Sequence, residues 1–145
     1  MTSTVFLDRI FQFASVVALL SWLAVFLIPG WVLEHLAWMV LPVGLLCAVY
    51  LFTVVMGGRF DAPGTSPRGH FRSMKGVLGL FKSPRVVLAG WVHFLAFDLL
   101  VGLMILSDSA SQGIGHLWIL PSLLLTLMFG PIGLLSYLAV RLMLG

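Results

Sequence analysis

The sequence has few charged residues and only one cysteine. Asp, Glu, Lys and Arg together make up 9% of the chain, whereas soluble domains average about 25%. With 61% hydrophobic residues and a mean hydropathy of +1.13, the composition predicts an integral membrane protein. A single cysteine, Cys47, excludes an intramolecular disulfide and a cysteine-based metal site. The chain also lacks a polar domain with a basic patch, which excludes a nucleic-acid-binding protein.

Long apolar runs predict four membrane-spanning helices, because about 20 apolar residues cross a hydrocarbon core of about 30 Å. We place the spans at about residues 10–28, 36–56, 85–106 and 116–141 of one membrane domain, residues 1–145. The predicted fold is an all-α integral membrane protein, a four-transmembrane-helix bundle. Pro42, Pro121 and Gly130-Pro131 are expected to bend the second and fourth helices.

The only hydrophilic stretch, residues 57–84, is predicted to be a cytoplasmic loop. Turn-forming residues fill its first part, 61–67. In its second part a short basic amphipathic helix is expected to lie in the membrane interface beside anionic headgroups. Basic residues and a glycine share one face of this helix: Arg72, Lys75, Gly79 and Lys82. We interpret it as a surface connector, with a gating role as the alternative.

The positive charges predict the orientation in the membrane. All eight Lys and Arg residues fall near the N-terminus, in the loop or near the C-terminus. With four spans these regions share one side, and the positive-inside rule makes that side cytoplasmic. We therefore expect a bacterial inner-membrane protein with both termini in the cytoplasm.

Two ionisable residues lie deep inside the third span. At about 1.5 Å per residue, His93 lies roughly 12 Å and Asp98 roughly 20 Å beyond Arg85. Such residues normally face protein or water and mark a functional site; the alternative is a buried pair that only fixes helix packing. Five residues apart, they differ by roughly 140° around the helix. Each therefore needs partners from other helices.

Depth along the helices predicts those partners. Tyr50 and Ser136 or Tyr137 lie at the depth of His93, so a hydroxyl neighbour is expected there. Asp98 is expected to meet Thr126 or Ser122 and to point into the bundle. We also expect His93 and Asp98 to flank one apolar cavity that opens sideways to the membrane. A dry bundle without a cavity is the competing expectation.

Two stretches resemble a known family. Residues 91–102, WVHFLAFDLLVG, and residues 121–137, PSLLLTLMFGPIGLLSY, resemble the abscisic-acid-deficient-four-like membrane proteins, whose plant member is associated with neoxanthin synthesis. The resemblance extends over the four predicted helices and is specific at His93, Asp98 and Gly130-Pro131. A basic residue often follows the Val-Gly of the third helix in such sequences, whereas this chain has Leu103.

The resemblance implies chemistry on a carotenoid or related isoprenoid without a cofactor. Opening an epoxy-carotenoid to an allene is an isomerisation that needs a positioned base and a positioned acid. His93 would act as the base and a protonated Asp98 as the acid. Four residues complete the predicted substrate-binding set: Tyr50, Trp91, Thr126 and Tyr137.

Two other functions compete with an isomerase. One is a non-catalytic module that binds such a lipid or partners a carotenoid enzyme. The other is a small proton-linked carrier that uses His93 and Asp98 as a relay, although four spans without an inverted repeat disfavour transport. No metal is expected, because the four histidines are dispersed over loops and depths. The expected partners are the bilayer and an isoprenoid ligand, and a homo-oligomer is left open.

Overall fold

The computed structural model describes residues 3–61, 64 and 68–145, and in this part of the chain all regular structure is helical. Most of the turn predicted at 61–67 lies outside the described residues. Seven α-helices follow one another along the chain: α1 Ser3–Leu27, α2 Pro29–Glu34, α3 Leu36–Val55, α4 Met74–Leu80, α5 Pro84–Ser111, α6 His116–Phe129 and α7 Pro131–Leu144. A short 3-10 helix, Gly57–Phe60, follows α3. The all-α prediction is confirmed.

Three helices are long and apolar enough to cross a membrane, namely α1 from Val5, α3 and α5. They form a bundle in which α5 contacts α1, α3 and α6. The core is apolar, and its largest fully buried side chains include Trp22, Leu46, Leu99 and Leu123. The bounds of α3 agree with the predicted second span within one residue. The chain is therefore compatible with a membrane protein built around α5.

The predicted fourth span, 116–141, is wrong, because this segment folds as a hairpin of two 14-residue helices. The hydroxyl oxygens of Ser122 on α6 and Ser136 on α7 lie 2.6 Å apart, whereas 14 residues of straight helix would separate them by about 21 Å. Gly130 forms the tip with φ +49°, a conformation that favours glycine. Pro131 lacks an N–H group and cannot continue α6, so it begins α7 instead. A hairpin of this length returns to the end from which it started.

The hairpin places the two ends of the described chain at opposite ends of the bundle. Tyr137 and Arg141 on α7 both bind Asp108, near the last residue of α5. The side chain of His116, where α6 begins, reaches the carbonyl of Phe26 at the end of α1. The prediction that both termini share one side is therefore wrong, because it assumed four complete spans. Seven of the eight basic residues stay at the end where α1 begins, and Arg141 is the exception.

Helix α5 extends beyond residue 106, the predicted end of the third span, and continues to Ser111. The hydroxyl of Ser109 donates to the carbonyl of Leu106 at 2.9 Å, and that of Ser111 to Asp108 at 2.7 Å. These serines therefore satisfy their hydroxyl groups on the helix backbone instead of ending the helix. The loop between α3 and α5 does contain a short helix, α4, capped by Ser73, whose hydroxyl accepts from the N–H of Gly76 at 3.1 Å.

Candidate functional site

A groove beside His93 opens on the side of the bundle between α3, α5 and the segment before α5. We call it the His93 groove; it has a volume of about 400 Å³, and aromatic side chains from three parts of the chain line it. Its principal residues are Tyr50, Phe71, Phe81, Arg85, His93 and Phe94. Its size lies within the range of small-molecule pockets.

The imidazole of His93 is exposed in this groove and is surrounded by rings. It stacks on Phe97 with ring centroids 4.6 Å apart and lies 5.8 Å from the ring of Tyr50. Within the described residues, no side chain or backbone group forms a hydrogen bond with it. Tyr50 and His93 therefore lie side by side, as predicted, and the His93 side chain is exposed in the groove.

Arg85 closes one end of the His93 groove. Its guanidinium donates to both carboxylate oxygens of Asp61, at 2.9 and 3.1 Å. It also donates to the carbonyls of Thr53 and Val54 at 3.3 Å, which caps the last turn of α3. From the sequence alone, Arg85 was only one of the positive charges that predict the orientation. Its spacing from Asp61 did not predict the ion pair between them.

A second, smaller groove contains Asp98. We call it the Asp98 groove; it has a volume of about 240 Å³ and lies between α5 and the tip of the hairpin, beside Trp91, Phe94 and Gly130. Asp98 is half-buried, and a Cβ added to Gly130 would lie only 2.5 Å from its Oδ1 atom. Asp98 therefore contacts the hairpin, as the prediction that it points into the bundle requires.

The predicted hydroxyl partners of Asp98 are wrong, because both groups are used inside the hairpin. The hydroxyl of Thr126 donates to the carbonyl of Ser122 at 2.8 Å, and the hydroxyl of Ser122 pairs with that of Ser136. Tyr137 is buried, and its hydroxyl donates to Asp108 at the far end of α5. Thr126 and Tyr137 therefore line neither groove.

The structure places His93 and Asp98 on two grooves, not on the single cavity that we predicted. Phe94 lines both grooves and forms the wall between them. Trp91 lies on the Asp98 groove, where its indole N–H donates to the hydroxyl of Ser15 at 3.3 Å. Among the predicted binding residues, only Tyr50 shares a groove with His93.

The described residues contain no group of three His, Cys, Asp or Glu side chains that would hold a metal ion. The chemistry available in the His93 groove is therefore that of an imidazole, a phenol and an arginine that is already paired.

A known protein family matches most of the chain. A family model described as ABA DEFICIENT 4-like matches residues 9–137. This chain belongs to the ABA4-like family. The match includes both grooves and the hairpin tip, and it confirms the family resemblance of residues 91–102 and 121–137. No curated protein and no solved structure matches the chain.

Proposed function

We propose that this ABA4-like protein binds a long isoprenoid of the carotenoid type in the His93 groove and isomerises it. The observation that carries the proposal is the groove itself: an aromatic, laterally open space of about 400 Å³ with one unpaired imidazole in its wall. An isoprenoid dissolved in the bilayer would enter such a groove from the side without passing through water. The resemblance to the neoxanthin-associated family supports the choice of ligand.

We propose that His93 is the base of the reaction and Tyr50 the acid. The imidazole would take a proton from the carbon next to the epoxide-bearing ring, and the released electron pair would form the new double bond while the epoxide C–O bond breaks. The Tyr50 hydroxyl would protonate the released oxygen, and the phenol would regain its proton from His93. The rearrangement is then balanced and needs no redox cofactor. Tyr50 replaces Asp98 in this role, because Asp98 lies behind Phe94.

We propose that the bundle spans the membrane with the α4 end in the cytoplasm. Seven basic residues lie at that end and one at the other, and the exception, Arg141, is paired with Asp108 at 2.8 Å. Single cysteines test this in a chain without Cys47: a membrane-impermeant maleimide should reach Lys75→Cys only from the cytoplasm. It should reach Ala110→Cys and Leu142→Cys only from outside. Labelling of position 142 from the side of position 75 would refute the orientation of the hairpin.

Blocking the groove tests the binding step. A Cβ on Gly90 would lie 3.3 Å from the ring of Phe81, so Gly90→Leu should fill the groove. The matched control is Gly44→Leu, because nothing lies within 4 Å of a Cβ there. Solvent extraction of the purified proteins, followed by absorption and mass spectra, should show a polyene with the parent and with Gly44→Leu, and little with Gly90→Leu. Equal polyene content in both variants would contradict the groove assignment.

Turnover assays separate an enzyme from a binding module. His93→Gln and Tyr50→Phe keep the size of each side chain close to the parent, so both variants should still bind the polyene. If His93 and Tyr50 carry the reaction, product formation from an epoxy-carotenoid should fall by about 100-fold or more in each. If binding persists and the parent itself forms no product, the protein is a non-catalytic module.

A further inference from the structure

A further groove lies between α3 and α5, close to the last turn of α5. We call it the Ser107 groove; it has a volume of about 420 Å³. Leu36 and Val40 of α3 line one side of it, and residues between Leu100 and Ser111 of α5 line the other. The His93 groove lies between the same two helices, near the other end of α3. The reaction proposed above uses the His93 groove alone.

On α5 both grooves use one face of the helix. His93, Leu100 and Ser107 follow one another at intervals of seven residues. Seven residues differ from two full turns by only about 20°, so the three side chains point in nearly the same direction. His93 lines its own groove, whereas Leu100 and Ser107 line the Ser107 groove. The two grooves are therefore aligned along one side of α5.

The same alignment holds on α3. Val54 lines the His93 groove and Val40 lines the Ser107 groove, and Cys47 lies seven residues from each of them. Cys47 is exposed. We call the surface between residues 40–54 of α3 and residues 93–107 of α5 the α3–α5 seam. Both grooves open on this seam, and Cys47 lies midway between them.

The Ser107 groove brings polar groups to one end of the seam. Ser107, Asp108 and Ser111 line it. The hydroxyl of Ser107 forms no hydrogen bond within the part of the chain that the structure describes. The side chain of Asp108 is 37% exposed although it pairs with Arg141. Because a carboxylate accepts hydrogen bonds and a serine hydroxyl both donates and accepts them, this groove suits a ligand hydroxyl group.

The length of the seam fits the ligand class of the proposed function. His93 and Ser107 are about 21 Å apart along α5 at about 1.5 Å per residue, a distance that a long isoprenoid covers and a single ring does not. The side chains between them are apolar: Phe97, Leu100 and Met104. Resting on the proposed function, we infer that the isoprenoid lies along the α3–α5 seam, with its reacting end at His93 and a hydroxyl group of its far end bound by Ser107 and Asp108.

Three probes of different length and polarity test the inference. They are a long polyene with a hydroxyl group on each end ring, the hydrocarbon of the same length, and a half-length polyene with one such ring. Affinities are taken from the absorption of the protein-bound fraction in detergent. The parent should bind the long diol about tenfold more tightly than the hydrocarbon, as expected for one hydrogen bond. Equal affinities would overturn the inference, because any apolar chain, including a lipid acyl chain, would then cover the seam equally well.

Two variants assign this preference to the Ser107 groove. Met104→Trp should fill the groove, because Met104 lines it and is 61% exposed. Its affinity for the long diol should fall about tenfold, whereas the half-length polyene, which needs only the His93 groove, should bind as it does to the parent and show that the variant folds. Met143→Trp makes the same change at an exposed position of α7 and should keep both affinities. Ser107→Ala, a smaller change, should remove most of the preference for the diol over the hydrocarbon.

Cys47 reports on the middle of the seam, because it is the only cysteine in the chain. Bound long diol should slow the reaction of Cys47 with N-ethylmaleimide several-fold, and the half-length polyene should leave the rate unchanged. The matched control is Leu124→Cys in a chain without Cys47. Leu124 lies on α6 and is 53% exposed, so neither polyene should protect a thiol there.

Gly90→Leu, which fills the His93 groove, separates the two proposals. If it weakens binding of both polyenes while Met104→Trp and Ser107→Ala bind the long diol as the parent does, the proposed function stands and the seam inference is overturned. Absence of Cys47 protection by the bound diol would overturn it as well. If Gly90→Leu weakens neither polyene, the proposed function fails and the seam inference fails with it.

Discussion

The close packing of the hairpin makes a sharp prediction at Gly133. A Cβ at this position would overlap the backbone nitrogen and the hydroxyl oxygen of Thr126. Because the obstacle is the backbone of α6 rather than the end of a flexible side chain, Gly133→Ala must push the two helices apart. We expect a cost near the upper end for overpacked cores, about 3 kcal/mol. For a chain of this size, that lowers the melting temperature by about 6–12 °C.

Gly44→Ala is the matched control for Gly133→Ala. It makes the same change in the apolar helix α3, where nothing lies within 4 Å of the added Cβ. Because alanine favours a helix over glycine, we expect Gly44→Ala to be neutral or to gain up to about 1 kcal/mol. Thermal unfolding of both variants in one detergent, followed by tryptophan fluorescence or circular dichroism, measures the difference. If Gly133→Ala melts with the parent, α6 and α7 are not packed as described.

Two further predictions concern side-chain pairs. A double variant with Ser122→Cys and Ser136→Cys, made in a chain without Cys47, should form an intramolecular disulfide under mild oxidation. Mass spectrometry detects this bond. A straight helix would keep the two thiols about 21 Å apart and prevent it. Asp61→Asn should lower the free energy of unfolding by about 3 kcal/mol, because its pair with Arg85 is only 8% and 12% exposed. Arg141→Gln should cost about 1 kcal/mol or less, because its pair with Asp108 is 37% and 44% exposed. Equal losses in chemical or thermal unfolding would contradict this ranking.

Helix ends could be predicted from the sequence where local residues determine them. Pro29-Gly30 follows the end of α1, and Ser83-Pro84 marks the start of α5 within one residue of the predicted 85. The pattern could not distinguish one kinked span from a hairpin in residues 116–141. Both have the same apolar composition, and the difference depends on the backbone angle at Gly130 and on contacts across the turn.

Contacts in the candidate site could be predicted only where matching depth on two helices was enough to bring the side chains together. His93 and Tyr50 lie at matching depths on antiparallel helices, and they do meet. The depth of Thr126 was counted along a straight fourth helix, so its predicted contact with Asp98 was wrong. The ion pair between Arg85 and Asp61 was missed because it depends on how the loop after α3 folds back. The spacing of apolar residues along the sequence contains no information about that fold.

His93 and Asp98, both on α5, owe their different surroundings to the hairpin. A complete fourth span would place a continuous helix beside α5 at the level of both residues. The turn of the hairpin at Gly130 instead lies directly against Asp98. His93, about one and a half turns earlier, lies in the groove beside α3 and contacts the rings of Tyr50 and Phe97. The separation of roughly 140° around α5 therefore places His93 and Asp98 on two different grooves, with Phe94 between them.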